Sequence, residues 1–229
     1  MIKKNKIGII VSSRINSNRL PAKAMLCLSG DTILSFLLKR ISTSKLADII
    51  ILATTYRVED NSIANEAIKS GCNIFRGELD NVLDRYVQAA IKFQVDIIVR
   101  LTGDNPFIDG HLLDYYIDQL PDKIDKIYTT RPNVSKGLNV EIIPTHLLSK
   151  LNKKHDLTIE EREHVTLWFY KNRKYIKELS VPDIHRNTDL NFSIDELEDY
   201  IRAESCIRRL SYNFQTSIDN IIHEYTKNY

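Results

Sequence analysis

Residues 12–23, Ser12-Ser13-Arg14-Ile15-Asn16-Ser17-Asn18-Arg19-Leu20-Pro21-Ala22-Lys23, set two arginines and a lysine among small hydroxyl and amide side chains. A loop of this kind suits a polyphosphate, which guanidinium, ammonium and backbone N–H groups hold by charge-assisted hydrogen bonds. Two carboxylates stand apart from it: Asp104, within Thr102-Gly103-Asp104-Asn105-Pro106, and Asp195, after Phe192-Ser193-Ile194. Cations for phosphate plus one or two isolated carboxylates make up a nucleotide site that also takes Mg2+, whose shell is completed by phosphate oxygens and water. Plainer readings exist for each residue. A basic loop also serves as a solvated surface, and Asp104 before Pro106 suits an Asx turn. Asp195 suits a helix start, His164 a hydrogen-bonded core histidine, and Asp84 with Arg85 a helix-surface pair.

What these residues share is their place after short apolar runs. Strands are expected at Ile7–Val11, Asp48–Thr54, Asn73–Phe75, Asp96–Leu101, Lys126–Thr129, Leu138–Ile143 and Leu190–Ile194. Helical spacing predicts helices over Thr32–Ser42, Asp60–Ser70, Asp80–Phe93, Asp109–Leu120, Glu160–Asn172, Asp195–Leu210 and Ser217–Tyr225. The β-α alternation implies an α/β fold, Rossmann-like and doubly wound, with a mostly parallel mixed sheet covered on both faces. Ligands of such sheets bind beyond the carboxyl ends of the strands. Arg14, Arg19 and Lys23 follow the first strand; Thr54, Thr55 and Arg57 follow the second; Arg76 and Gly77 follow the third; Thr102 and Asp104 follow the strand at 96–101.

A chain of 229 residues suits one domain over 1–229, with 129–168 an excursion that covers a site or pairs subunits. The net charge of +2 argues against a general nucleic-acid binder. No apolar run approaches the ~20 residues that span a bilayer. The opening Met1–Lys6 is basic, and the apolar stretch behind it is too short for a signal-peptide core and reads as a strand. Three widely spaced cysteines, Cys27, Cys72 and Cys206, fit free thiols in a cytoplasmic protein. Walker A, GxGxxG, HExxH and GxSxG patterns are absent.

Several segments together resemble one family. Arg14-x-x-Ser17-x-Arg19-Leu20-Pro21-Ala22-Lys23 is similar to the phosphate loop of the cytidylyltransferases that make CMP-sugars. Arg76-Gly77 followed by Asn81-Val82-Leu83-Asp84-Arg85-Tyr86 resembles the "RG…DVLDRY" of the SpsF-like spore-coat polysaccharide branch, relatives of CMP-Kdo and CMP-sialic acid synthetases. Val99-Arg100-Leu101-Thr102-Gly103-Asp104-Asn105-Pro106 resembles its "VRxTxDxP", and Gly137-Leu138-Asn139-Val140-Glu141 its "GLDVE". Arg162-Glu163-His164-Val165-Thr166 resembles its "REHVT", and Phe192–Asp199 its "xTVDxxxD". The segments occur in order and cover residues 6 to about 210. Ala22 departs from the family's glycine and Asn139 from an aspartate.

The resemblance implies a nucleotide-diphospho-sugar-transferase type of fold and a CTP-dependent transfer of CMP to an acidic sugar or phosphate-bearing small molecule, with release of pyrophosphate. Carried over residue by residue, Arg14, Lys23, Asp104 and Asp195 would be catalytic, and Asp104 and Asp195 would hold Mg2+. Ser12, Ser13, Arg14, Ser17, Arg19, Lys23, Thr54, Arg76, Asp84, Arg85 and Thr102 would bind the nucleotide. Asn139, Glu141, Glu163 and His164 would meet the acceptor, in an excursion that also holds Arg131 and Lys136. Relatives imply a homodimer without nucleic-acid or membrane partners. Two competing readings keep the nucleotide site: a GT-A-like glycosyltransferase, whose Asp-x-Asp motif is missing here, and a nucleotide-binding protein without catalysis.

Overall fold

A computed structural model describes residues 5–186, 189–211 and 216–227; the basic Met1–Lys4 lies outside them. Strands β1 (Ile7–Ser12), β4 (Ile49–Thr55), β5 (Asn73–Gly77) and β6 (Ile97–Thr102) pair in parallel. Beyond β6 lie β8 (Glu141–Pro144), β7 (Ile127–Thr129) and β9 (Ile176–Glu178), giving a seven-stranded sheet of order β5-β4-β1-β6-β8-β7-β9. Only β8 runs against its neighbours. A two-residue hairpin, β2 (Cys27–Leu28) with β3 (Asp31–Thr32), stands outside this sheet.

Strand residues alternate between two cores, as the pleat requires. Ile9, Val11, Val99 and Leu101 face one core with α1 (Ile33–Ile41), α4 (Gly110–Ile117), α8 (Leu197–Arg209) and α9 (Ile218–Thr226). Ile10, Ile51, Ile98 and Ile143 face the other with α3 (Val82–Lys92), α5 (Thr145–Asn152) and α7 (Leu167–Lys171). Helix α2 (Asn61–Lys69) adds Ile63 and Ala67 to the first core. Side-chain caps set several helix starts: Thr32 accepts from the Ser35 N–H at 3.0 Å, Asn81 from Asp84 at 3.1 Å and Asp109 from Leu112 at 2.8 Å. Buried Arg40 of α1 donates to the Phe107 carbonyl at 2.9 Å and pairs with Asp109 at 3.1 Å, which fixes the loop after β6. None of the helices among the described residues is long and apolar enough to cross a membrane.

The α/β sheet agrees with expectation, two expected segments differ and two elements are additional. The helix expected over Glu160–Asn172 is two short helices, α6 (Ile159–Glu163) and α7, separated at Val165, whose φ is +48°. Val165 fits the apolar stripe, so spacing alone does not reveal the break. The strand expected at Leu190–Ile194 is a strap: Asn191 makes one isolated bridge to Lys136, and the Ile194 N–H donates to the Asp104 carbonyl at 2.8 Å. Helix α5 and strand β9 are additional. The 129–168 stretch supplies β8, α5 and α6.

Candidate active site

The chain passes from β1 to β4 and β5 on one side, then returns to place β6 on the other side of β1. This reversal opens a crevice at the carboxyl ends of β1 and β6. The Gly103 N–H donates to the Ser12 carbonyl at 2.9 Å there, and a Cβ on Gly103 would lie 2.7 Å from the Ser13 hydroxyl, so the close approach needs glycine. A pocket of about 410 Å³ occupies the crevice. Ser12, Ser13, Arg14, Ser17, Arg19, Lys23, Arg85, Thr102, Asp104, Glu163, His164 and Asp195 all line it, as does Val82.

Local bonds shape the basic loop. Buried Asp60 accepts the Ile15 N–H at 2.7 Å and also the Thr55 hydroxyl. Ala22 turns the chain in the left-handed region, φ +53°, before a single 3-10 turn at Lys23–Met25. An L-residue there costs roughly 1 kcal/mol relative to glycine. The departure from the family's glycine therefore falls on a turn that favours glycine.

Lys23 is the hub of the pocket. Its ammonium donates to Asp104 Oδ2 at 3.2 Å, Asp195 Oδ1 at 3.0 Å and the Ile194 carbonyl at 2.9 Å. Asp195 also meets Arg19 at 3.1 Å and Lys136 at 2.8 Å. Burial alone would raise its pKa, but hydrogen bonds and charge from Lys136 and Lys23 outweigh that and hold it at about 2, against an ordinary 3.8. The Thr102 hydroxyl donates to Asp104 Oδ1 at 2.6 Å. One cation thus bridges both carboxylates. No third His, Cys, Asp or Glu joins them as a metal cage among the described residues. A hard divalent ion held by two carboxylates would draw its other ligands from phosphate and water, as Mg2+ does.

The far end of the pocket lies between α3 and the end of α6. Arg85 spends Nη1 on the carbonyls of Glu78 and Leu79, at 2.9 and 3.2 Å, and Arg100 spends its own on Glu141 at 2.6 Å. The Nε of each is buried without a partner. Glu141, 1% exposed, also accepts from the hydroxyls of Thr166 at 3.1 Å and Tyr170 at 2.8 Å. Burial opposes its charge, yet Arg100, the Tyr170 hydroxyl and the charge of Arg131 keep its pKa below the usual range. Val165, between His164 and Thr166, is left-handed, the Thr166 N–H folds back to the His164 carbonyl, and Glu163 and His164 line the pocket wall.

Several expected contacts lie elsewhere. Thr54 is fully buried within β4, with its hydroxyl unpartnered. Arg76 turns to the Asn61 side chain at 2.7 Å, and Asp84 accepts from Asn152 of α5 at 2.8 Å. Asn139 does not line the pocket, and Glu141 lies beneath its wall rather than in it. Conversely, Arg100 also lines the pocket, and Lys136 reaches Asp195 at 2.8 Å without lining the pocket itself. No sequence signal pairs Lys136 with a carboxylate 59 residues away.

Comparison with known proteins follows the same lines. A family model described as Cytidylyltransferase matches residues 8–229. The chain is 30% identical over 224 residues to the spore coat polysaccharide biosynthesis protein SpsF of Bacillus subtilis, covering 95% of this chain and 93% of that protein. It is similar in structure to a cytidylyltransferase from Leptospira borgpetersenii serovar Hardjo-bovis, with TM-score 0.91, 32% identity, and 98% and 95% of the two chains covered. The fold alone extends to the CMP:2-keto-3-deoxy-manno-octonic acid synthetase complexed with CTP, at TM-score 0.70 and 14% identity over 90% of this chain and 100% of that one.

Proposed function

The chain belongs to the cytidylyltransferase family, and from that premise we propose that it activates an acidic sugar of a surface polysaccharide as its CMP-linked form. CTP and the sugar give the CMP-sugar and pyrophosphate. The observation that carries this reading is the Lys23 ammonium bridging Asp104 and Asp195 at 3.2 and 3.0 Å beside an arginine-rich loop.

An acceptor hydroxyl oxygen forms a bond to the α-phosphorus as the bond to the pyrophosphate oxygen breaks, the pyrophosphate departs with that electron pair, and the hydroxyl proton passes to solvent water. Such a transfer asks the protein for alignment and charge neutralisation rather than covalent chemistry. Arg14, Arg19 and Lys23 grip the triphosphate and neutralise the charge that builds on the departing pyrophosphate. Ser12, Ser13, Ser17 and Thr102 supply hydroxyl and backbone contacts around it. Asp104 and Asp195 would hold Mg2+, which supplies Lewis-acid polarisation of the phosphate when bound. An acidic group on the acceptor suits the far end of the pocket, where the guanidinium side chains of Arg85 and Arg100 supply positive charge beside Glu163 and His164. Three free cysteines fit work in the reducing cytoplasm, and family likeness suggests a homodimer.

The test is pyrophosphate release from each of four nucleoside triphosphates with Mg2+, against a panel of acidic sugars and sugar phosphates. Release with CTP and an acidic sugar is expected. Failure to bind any triphosphate would overturn the reading, and transfer of a sugar from a nucleotide sugar would favour the glycosyltransferase alternative.

A further inference from the structure

We propose that Lys136 is a second triphosphate-binding lysine, parked on Asp195 until nucleotide and metal arrive together; this rests on the function proposed above. Asp195 meets Lys23, Lys136 and Arg19 at once, at 3.0, 2.8 and 3.1 Å. A divalent ion on Asp104 and Asp195 would use both carboxylates and leave the two ammonium groups without counter-charge. The anion that accompanies the metal, a polyphosphate, is the group able to rebalance them.

The two lysines are held differently. Lys23 has three acceptors and a side chain 16% exposed, whereas Lys136 makes a single contact with a side chain 56% exposed. With one acceptor and a half-exposed stem, this ammonium is freer to leave Asp195 than the three-bonded Lys23 ammonium is. The Lys136 backbone, by contrast, is locked. The Lys136 carbonyl accepts the Phe192 N–H at 2.8 Å. Gly137, at φ +90°, lies so close to the strap that a Cβ would be 2.3 Å from the Ser193 nitrogen. A fixed Cα with a mobile four-carbon stem lets the ammonium exchange a carboxylate for a phosphate without moving the loop.

Calorimetric titration of the full chain and of Lys136→Met would test this, with Mn2+ alone and then with CTP or inorganic tripolyphosphate in the presence of Mn2+. The expected result is a split. Mn2+ alone binds the variant about threefold tighter, because Asp195 is freed, while CTP and tripolyphosphate bind about tenfold weaker through loss of one charge-assisted contact. Lys136→Arg should restore most of the polyphosphate affinity. Unchanged CTP and tripolyphosphate affinity in Lys136→Met, or equal weakening of every ligand, overturns the proposal while leaving the proposed function standing. Wild-type protein that binds neither CTP nor tripolyphosphate overturns both.

Discussion

The Asp195 cluster in the pocket and the Glu141 cluster beneath its wall each pair one carboxylate with several donors, yet their surroundings set them apart. Asp195 is held by two lysines and an arginine, and two of these, Lys136 and Arg19, have side chains more than half exposed, at 56% and 59%. Glu141 is held by Arg100, Thr166 and Tyr170, with the Arg100 side chain 14% exposed and Thr166 buried. Ammonium groups on flexible stems can leave a carboxylate and return. A buried guanidinium–carboxylate pair with every carboxylate oxygen engaged cannot, because either partner left alone would be a desolvated charge. Similar chemistry therefore yields an exchangeable site in one place and a permanent brace in the other.

That contrast breaks most directly at the brace. Glu141→Ala strands Arg100 and should cost about 3–5 kcal/mol of stability, read from the midpoint of urea unfolding. A loss below about 1 kcal/mol would mean Arg100 is solvated and the brace is not one. At the exchangeable site the loss should fall on rate instead. Asp104→Ala should lower pyrophosphate release by at least about 10²–10³, the scale for a lost transition-state contact, with the unfolding midpoint nearly unchanged. Normal turnover in that variant with Mg2+ would remove Asp104 from the site.

Acid separates the clusters more finely. The Asp195 pKa falls on folding from 3.8 to about 2, so its stabilisation is complete above about pH 4 and is lost as pH drops from 4 toward 2. A shift of that size is worth roughly 2 kcal/mol, and Asp195→Asn should flatten stability against pH over that window. An unaltered acid limb would show that the lysines do not hold Asp195 in solution. The smallest effect belongs to the loop: Ala22→Gly should raise stability by up to about 1 kcal/mol by relieving the left-handed φ, measured as a shift in thermal midpoint. A lower midpoint would mean that the greater freedom of an unfolded glycine outweighs that relief.

Legibility in the sequence followed the same divide. Arg14, Arg19, Lys23 and Asp104 directly follow apolar runs, and the carboxyl end of a parallel strand is a ligand site whatever the remainder of the chain does. Thr54 and Arg76 obey the same rule and still miss the pocket, because position after a strand says nothing about which way a side chain turns. Glu141 is legible as special but not as buried, since its partners come from β6 (Arg100) and from the start and body of α7 (Thr166 and Tyr170). Helix α5 carried its own signal in Leu147, Leu148 and Leu151 after Pro144. The break at Val165 carried none, because valine rarely takes a left-handed conformation and tertiary contacts impose it here.

The partners of Lys23 lie 81, 171 and 172 residues further along the chain. During synthesis, the loop that bears Lys23 therefore emerges well before the strap that completes the charge cluster. A ribosome-bound chain ending before Asp195 would carry the grip without its second carboxylate. Growth of Mn2+ binding with nascent-chain length should therefore step up late, after the strap clears the exit tunnel.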